Sequence, residues 1–166
     1  NSGSGHAEGV DFFWRDKESF KGTDYWISYS WINASRNYKD YPMEAVPSYL
    51  SEHNLSVVGK RFFGGLRTYA AVTYSFASSR PYHNPNLDGF MNSKTNPTND
   101  ISLSLTYLMR LFGKQAVLHL MVNNLTSFNN IYGYNFSKTP NEAGVYESTP
   151  IQSPYVRQAI LLLSII

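Results

Sequence analysis

Apolar and polar residues alternate with a period of two along most of the chain, and helical periodicity is nearly absent. Seven segments are strand candidates. In "DYWISYSWINASRNY", Tyr25, Ile27, Tyr29 and Trp31 fall on one face, with Trp26, Ser28, Ser30 and Ile32 on the other. "DISLSLTYLM" opposes Ile101, Leu103, Leu105 and Tyr107 to Ser102, Ser104 and Thr106. The same reasoning predicts strands in "HAEGVDFFWRD", "NLSVVGKRFF", "LRTYAAVTYSFAS" and "AVLHLMVNNL". The closing segment, "PYVRQAILLLSII", is apolar on both faces, so alternation does not orient it. Turning Arg157 inward with Leu161 and Leu163 predicts Ile160, Leu162 and Ile166 on the outer face, with Ser164 beside them near the chain end.

The connections alternate in length. Gly64 and Gly65 alone separate the third and fourth segments, which predicts a two-residue hairpin, and "RLFGKQ" predicts a short turn between the fifth and sixth. Long polar loops are expected over 39–53, 79–99 and 126–153, and loops of that length are uncommon in compact soluble domains. Short turns at one end and long loops at the other are the plan of an outer-membrane β-barrel. In such a wall one face meets lipid and the other a wet lumen. Tyr29, Trp31, Val72, Tyr74, Leu103, Leu105, Leu118 and Leu120 are then expected toward lipid, and Ser28, Ser30, Thr73, Ser102, Ser104, Thr106 and His119 toward the lumen. Lipid tolerates no unpaired backbone, so the strands are expected to belong to a closed barrel. The expected fold class is all-β: an antiparallel transmembrane β-barrel segment of about seven strands within a larger barrel.

Composition narrows the reading further. With 166 residues, 42% hydrophobic and 16% aromatic, the chain has enough apolar surface to argue against disorder. A net charge of +2 from scattered basic residues gives no footprint for nucleic acid. The absence of cysteine excludes a disulfide framework and a thiolate metal site. The longest apolar runs fall well short of the roughly 18 residues of a membrane helix. The opening "NSGSG", without an initiator Met, reads as the interior of a longer protein.

"DYWISYSW", "HNLSVVGKRF", "TYSFASSRPYHNPN" and "VNNLTSFNNIYGYNFS", followed by "RQAILLLSII", resemble in order and spacing the C-terminal barrel region of TonB-dependent outer-membrane receptors. The similarity runs over essentially the whole chain. It implies a bacterial outer-membrane importer of a scarce nutrient, whether siderophore, cofactor, sugar or peptide, built as a barrel of about 22 strands closed by an N-terminal plug. The plug and the N-terminal strands have no counterpart in this sequence. Partners implied by the resemblance are outer-membrane lipid, the remaining strands and plug of the same receptor, and the TonB complex acting through the plug, with a surface lipoprotein as a further candidate. One departure stands out: members of that family commonly end on an aromatic residue, and this chain ends on Ile166.

Candidate ligand contacts lie in the long loops. "SSRPYHNPN" gathers Arg80, Tyr82, His83 and Asn84, and "NNIYGYNFS" supplies Asn130, Tyr132 and Tyr134, although any long surface loop is rich in such residues. His119 and Met121 suggest a haem or copper ligand, but without a partner motif the simpler expectation is a polar lumen residue. Sequons at Asn33, Asn54, Asn124 and Asn135 read as coincidence in an Asn-rich bacterial chain. The acidic pairs Asp11/Asp16 and Glu44/Glu52 read as solvated carboxylates. No HExxH, GxSxG or phosphate loop occurs, so no enzyme and no cofactor is expected. The competing reading is a soluble β-sandwich, a carbohydrate-binding or adhesive module that buries one face of each sheet.

Overall fold

Each short turn returns the chain beside the strand just completed, and sequential antiparallel pairing follows. The computed structural model describes residues 3–38 and 41–165. Its strands are β1 (Ser4–Asp16), β2 (Thr23–Asn37), β3 (His53–Phe63), β4 (Thr68–Ala77), β5 (Pro81–Tyr82), β6 (Ser93–Lys94), β7 (Thr98–Leu111), β8 (Lys114–Asn123), β9 (Ile131–Phe136), β10 (Ser148–Gln152) and β11 (Gln158–Ile165). Seven of them form one antiparallel sheet in the order β1-β2-β3-β4-β7-β8-β11, and these are the seven segments expected from the sequence. The sheet is open, since β1 and β11 each pair on one side only among the described residues. The fold is all-β, and among the described residues no helix is long and apolar enough to cross a membrane.

The turns differ from expectation in an informative way. A two-residue primed turn at Gly64–Gly65 needs left-handed glycines, and neither has a positive φ. Gly64–Leu66 instead form a 3-10 turn, and the left-handed residue is Arg67, at φ 50°, so that Phe63 faces Thr68 across a four-residue loop. The "RLFGKQ" turn is tighter than the sequence suggests. Strands β7 and β8 pair up to Leu111 and Lys114, leaving only Phe112 and Gly113, at φ 52° and 78°. The long loops hold structure of their own: β5 pairs with β6, β9 with β10, and Arg36 bridges to Ala45.

Directly opposed residues in an antiparallel pair share a face, so the register tests every expected orientation. One row runs Ile27, Val57, Tyr74, Ile101, and another runs Tyr25, Gly59, Val72, Leu103, Val122, Ala159. On the other face run Ser28, Ser56, Ser75, Asp100 and Trp26, Val58, Thr73, Ser102. The expected apolar and polar sets therefore fall on opposite faces of β2, β4, β7 and β8. The terminal strand is the exception. Leu161 faces Leu120 and Leu163 faces Leu118, whereas Ile160 faces Met121 and Leu162 faces His119. Leu161, Leu163 and Ile165 thus join the apolar face, while Ile160, Leu162 and Ser164 join the polar one, the reverse of the expected orientation. Pairing with β8 decides it, and Arg157, on which the expectation rested, precedes the strand. Ile166 lies outside the described residues.

The interior is small. Among the described residues the buried apolar ones are Ala34, Pro47, Leu50, Pro81 and Ala116, and the apolar face itself is open, with Phe12 and Leu161 53% and 64% exposed. A sandwich would lay a second sheet over one face. Among the described residues the remaining strands form only the two small ribbons.

Candidate functional site

On the polar face, at the end bearing the long loops, the register brings together residues far apart in sequence. Ser28, Ser56, Ser75 and Asp100 stand side by side on β2, β3, β4 and β7, next to the row Ser30, Asn54, Ala77, Thr98. These rows floor a cleft of about 370 Å³ that is also lined by Asn130 and Tyr132 from the last long loop. A second cleft of about 210 Å³ shares Asp100, Asn130 and Tyr132 and continues over Asn123, Gln152, Tyr155 and Gln158. The two make one trough. Its walls offer hydroxyls, amides, tyrosine rings and a single carboxylate, and no lysine, arginine or histidine lines it. Such a lining can hydrogen-bond a polar solute in many registers but has no cation with which to neutralise an anion.

Two asparagines hold the trough in shape. Asn130 Nδ2 donates to the Asn99 carbonyl at 2.6 Å, and its Oδ1 accepts from the Asn99 amide at 2.9 Å, so the side chain acts as a short added rung on β7. Asn124, buried and at φ 49°, donates to the carbonyls of Phe128 at 2.7 Å and Val156 at 2.6 Å and accepts from the Phe128 amide at 3.0 Å. It ties the end of β8 to the start of β11. With its amide spent in this way, Asn124 has a structural reason to be there, independent of the sequon it completes.

Of the loop residues singled out in the sequence, Asn130 and Tyr132 reach the trough; Arg80, Tyr82, His83, Asn84 and Tyr134 do not line it. They knit the loops together instead. The Tyr82 ring lies 4.9 Å from that of Tyr134, and the Arg80 guanidinium sits 6.0 Å from the Tyr132 ring. His83 approaches Phe90 at 5.6 Å, and Phe90 approaches Tyr41 at 4.7 Å. Asn84 exchanges backbone hydrogen bonds with the Asn92 side chain, and Asn86 does the same from its own side chain with the Tyr146 backbone. Nearby, Tyr38 accepts from Arg36 Nη1 at 2.9 Å and meets Tyr49 at 3.2 Å between hydroxyls. The Tyr49 contact, helped by Arg36, lowers the Tyr38 phenol pKa, and the same contact with partial desolvation raises that of Tyr49. His119 bonds Thr106 Oγ1 at 2.8 Å, and no cluster of three potential metal ligands exists among the described residues.

The opposite face is chemically uniform. From Val10 to Trp14, Tyr25 to Trp31, Leu55 to Gly59, Ala70 to Phe76, Ile101 to Met109, Ala116 to Val122 and Ala159 to Ile165, the residues on this face include no charge. Its polar edges are Glu8, Asn33, His53 and Asn99 toward the loops, and Asp16, Arg61 and Lys114 toward the turns. Tyrosines mark both edges and direct their hydroxyls outward from the band. Tyr29 bonds His53 at 2.8 Å and Tyr74 bonds Asn99 at 2.9 Å on the loop side, and Tyr25 bonds Asp16 at 3.2 Å on the turn side.

No family model, curated protein or solved structure matches this chain. The site is therefore read from its own chemistry. What the sequence missed is the serine floor and Asp100 as a unit, since no local motif joins positions 28 and 100; Ser28 and Ser30 were legible only as one polar stripe.

Proposed function

We propose that this chain forms seven consecutive wall strands of a TonB-dependent receptor in a bacterial outer membrane, with the apolar band against lipid and the polar face against the lumen and plug. The observation that carries the membrane part is the uncharged band with tyrosine hydroxyls paired at both edges. From Ile101 to Met109 it runs eight residue steps, about 27 Å along the strand and about 20 Å in depth once tilted, close to the apolar height of known barrels. Aromatic residues whose hydroxyls meet polar partners at each edge are what two membrane–water interfaces select. The receptor assignment is supported by the ordered resemblance of the segments from "DYWISYSW" to "RQAILLLSII".

In this reading the short turns are periplasmic and the long loops extracellular. The trough lies where a solute arriving from outside first meets the wall, and its lining of hydroxyls and amides, with Asp100 as the one carboxylate, holds that solute without chemistry. The chain is no enzyme: it contributes surface, while the plug and the energy-coupling complex supply movement.

Single cysteines introduced into the cysteine-free chain, carried in its parent protein in intact membranes, test the proposal. Positions 102, 104 and 106 should react with a water-soluble maleimide, and positions 103, 105 and 118 should stay silent. Strong labelling of the second set would overturn the membrane assignment.

A further inference from the structure

The three short turns carry apolar residues at their tips and basic residues around them. Phe20 tips the β1–β2 turn, Leu66 the β3–β4 turn and Phe112 the β7–β8 turn, with exposures of 62%, 67% and 90%. Phe112 is the most telling. It occupies the first position of a two-residue loop at φ 52°, where asparagine is the preferred residue and a bulky side chain is conformationally costly. A nearly bare phenylalanine in a left-handed conformation carries two penalties in water, and no contact within the sheet offsets them.

The surrounding charge is one-sided. Arg15, Lys17, Lys21, Lys60, Arg61, Arg67, Arg110 and Lys114 stand at this end against Asp16, Glu18 and Asp24. The remainder of the chain has six basic and nine acidic residues, so the small net charge conceals a basic end and an acidic remainder. Asp24 is already engaged by Arg15 at 2.6 Å and Lys60 at 3.5 Å, and Asp16 by Ser19, which leaves the turn residues Lys17, Lys21 and Arg67, with Arg110 and Lys114, free of acidic partners among the described residues.

From this juxtaposition we infer that the turn end is a headgroup-binding rim: the three apolar tips enter the interfacial layer of the membrane and the basic residues pair with the phosphates of anionic phospholipids. The inference rests on the membrane reading of the apolar band and adds to it a lipid preference. The geometry is suitable. Adjacent turns are two strands apart, about 10 Å along the rim, a spacing on the scale of lipid headgroups. The Phe20 tip is continuous with the band, since its ring lies 5.7 Å from that of Tyr25, which contacts Trp14 at 5.2 Å. Each lysine or arginine close to an anionic surface strengthens binding about fivefold.

The test is to dilute the full chain from urea into vesicles of phosphatidylcholine alone, or with about a third phosphatidylglycerol, and to follow tryptophan emission and co-sedimentation. Partitioning should be at least tenfold stronger into the anionic vesicles, and the difference should shrink as salt is raised. A chain with Lys17, Lys21, Arg67, Arg110 and Lys114 replaced by Gln should bind phosphatidylcholine like the parent while losing the anionic preference. Phe112→Asn, which suits the turn better, should weaken binding to both vesicles. Equal binding of the parent chain to both vesicle types would overturn the headgroup inference while leaving the band reading intact. Loss of phosphatidylcholine binding by the five-site variant would also overturn it, by showing that those residues act through the fold. Failure of the parent chain to bind either vesicle, in a sample that sedimentation without vesicles shows to be free of aggregate, would remove the band reading and this inference together.

Discussion

Asn124 shows how a residue that looks incidental in the sequence carries a site. Its three hydrogen bonds to backbone groups of Phe128 and Val156 join two segments that both border the trough. Asn is also among the few residues that tolerate the left-handed conformation found there. Two substitutions separate these contributions. Asn124→Gly keeps the backbone conformation and loses the bonds, at about 1 kcal/mol for each. Asn124→Ala loses both and should cost about 1 kcal/mol more. Denaturant unfolding in detergent, with amide exchange over 125–130 and 153–157, should show both variants destabilised and Ala the worse; equal effects would mean that the backbone conformation is irrelevant. The loop residues chosen from the sequence were chosen for their chemistry. The structure places several of them in loop-to-loop contacts, because aromatic and amide groups that suit a ligand suit a neighbouring loop equally well. Only distance in the folded chain distinguishes the two uses.

Among the elements, the strands were legible wherever one face is apolar and the other polar, because a period of two then fixes both the element and its orientation. Strand β11 lacks that contrast, with Ile160, Leu161, Leu162 and Leu163 in succession, and a single arginine outside the strand is too weak a guide to its orientation. Its orientation is inherited from β8, whose contrast is clear. The β3–β4 turn was misjudged for a related reason: glycine permits the left-handed region without requiring it, and here Arg67 occupies it instead of Gly64 or Gly65. The corrected orientation makes a paired prediction. Leu161→Arg sets a charge in the apolar band beside Leu120 and should hinder membrane insertion by about 2 to 4 kcal/mol near mid-depth. Leu162→Arg sets it beside His119 on the polar face and should be tolerated to within about 1 kcal/mol. Folding into vesicles assayed by heat-modifiable gel mobility would compare them. If Leu162→Arg proved the more damaging, the register of β11 on β8 would be wrong.

At the scale of the whole molecule, the sheet order was legible because short turns dictate neighbours, whereas the trough was not, because it exists only once β2, β3, β4, β7, β8 and β11 lie in register beneath the last long loop. What the assembled sheet lacks is cover. A sheet in water has to bury its apolar face against another layer, and here residues as large as Phe12, Leu161 and Leu163 remain more than half exposed. The outer edges of β1 and β11 present unpaired backbone groups, which template further pairing in water and are excluded from lipid unless other strands complete them. Both features point the same way. The seven strands as they stand should not persist as a monomer in aqueous buffer: apolar faces should meet and open edges should extend the sheet, giving large, β-rich, thioflavin-binding species. Detergent micelles should cover the band and suppress the first route but not the second, so the expected product is soluble but associated edge to edge. Supplying strands that pair with β1 and β11 should restore a discrete particle. Analytical ultracentrifugation in buffer, in detergent and with such strands present reads all three states, and a stable monomer in plain buffer would refute the membrane-wall reading, because a sheet that stays single in water has found another way to cover its apolar face.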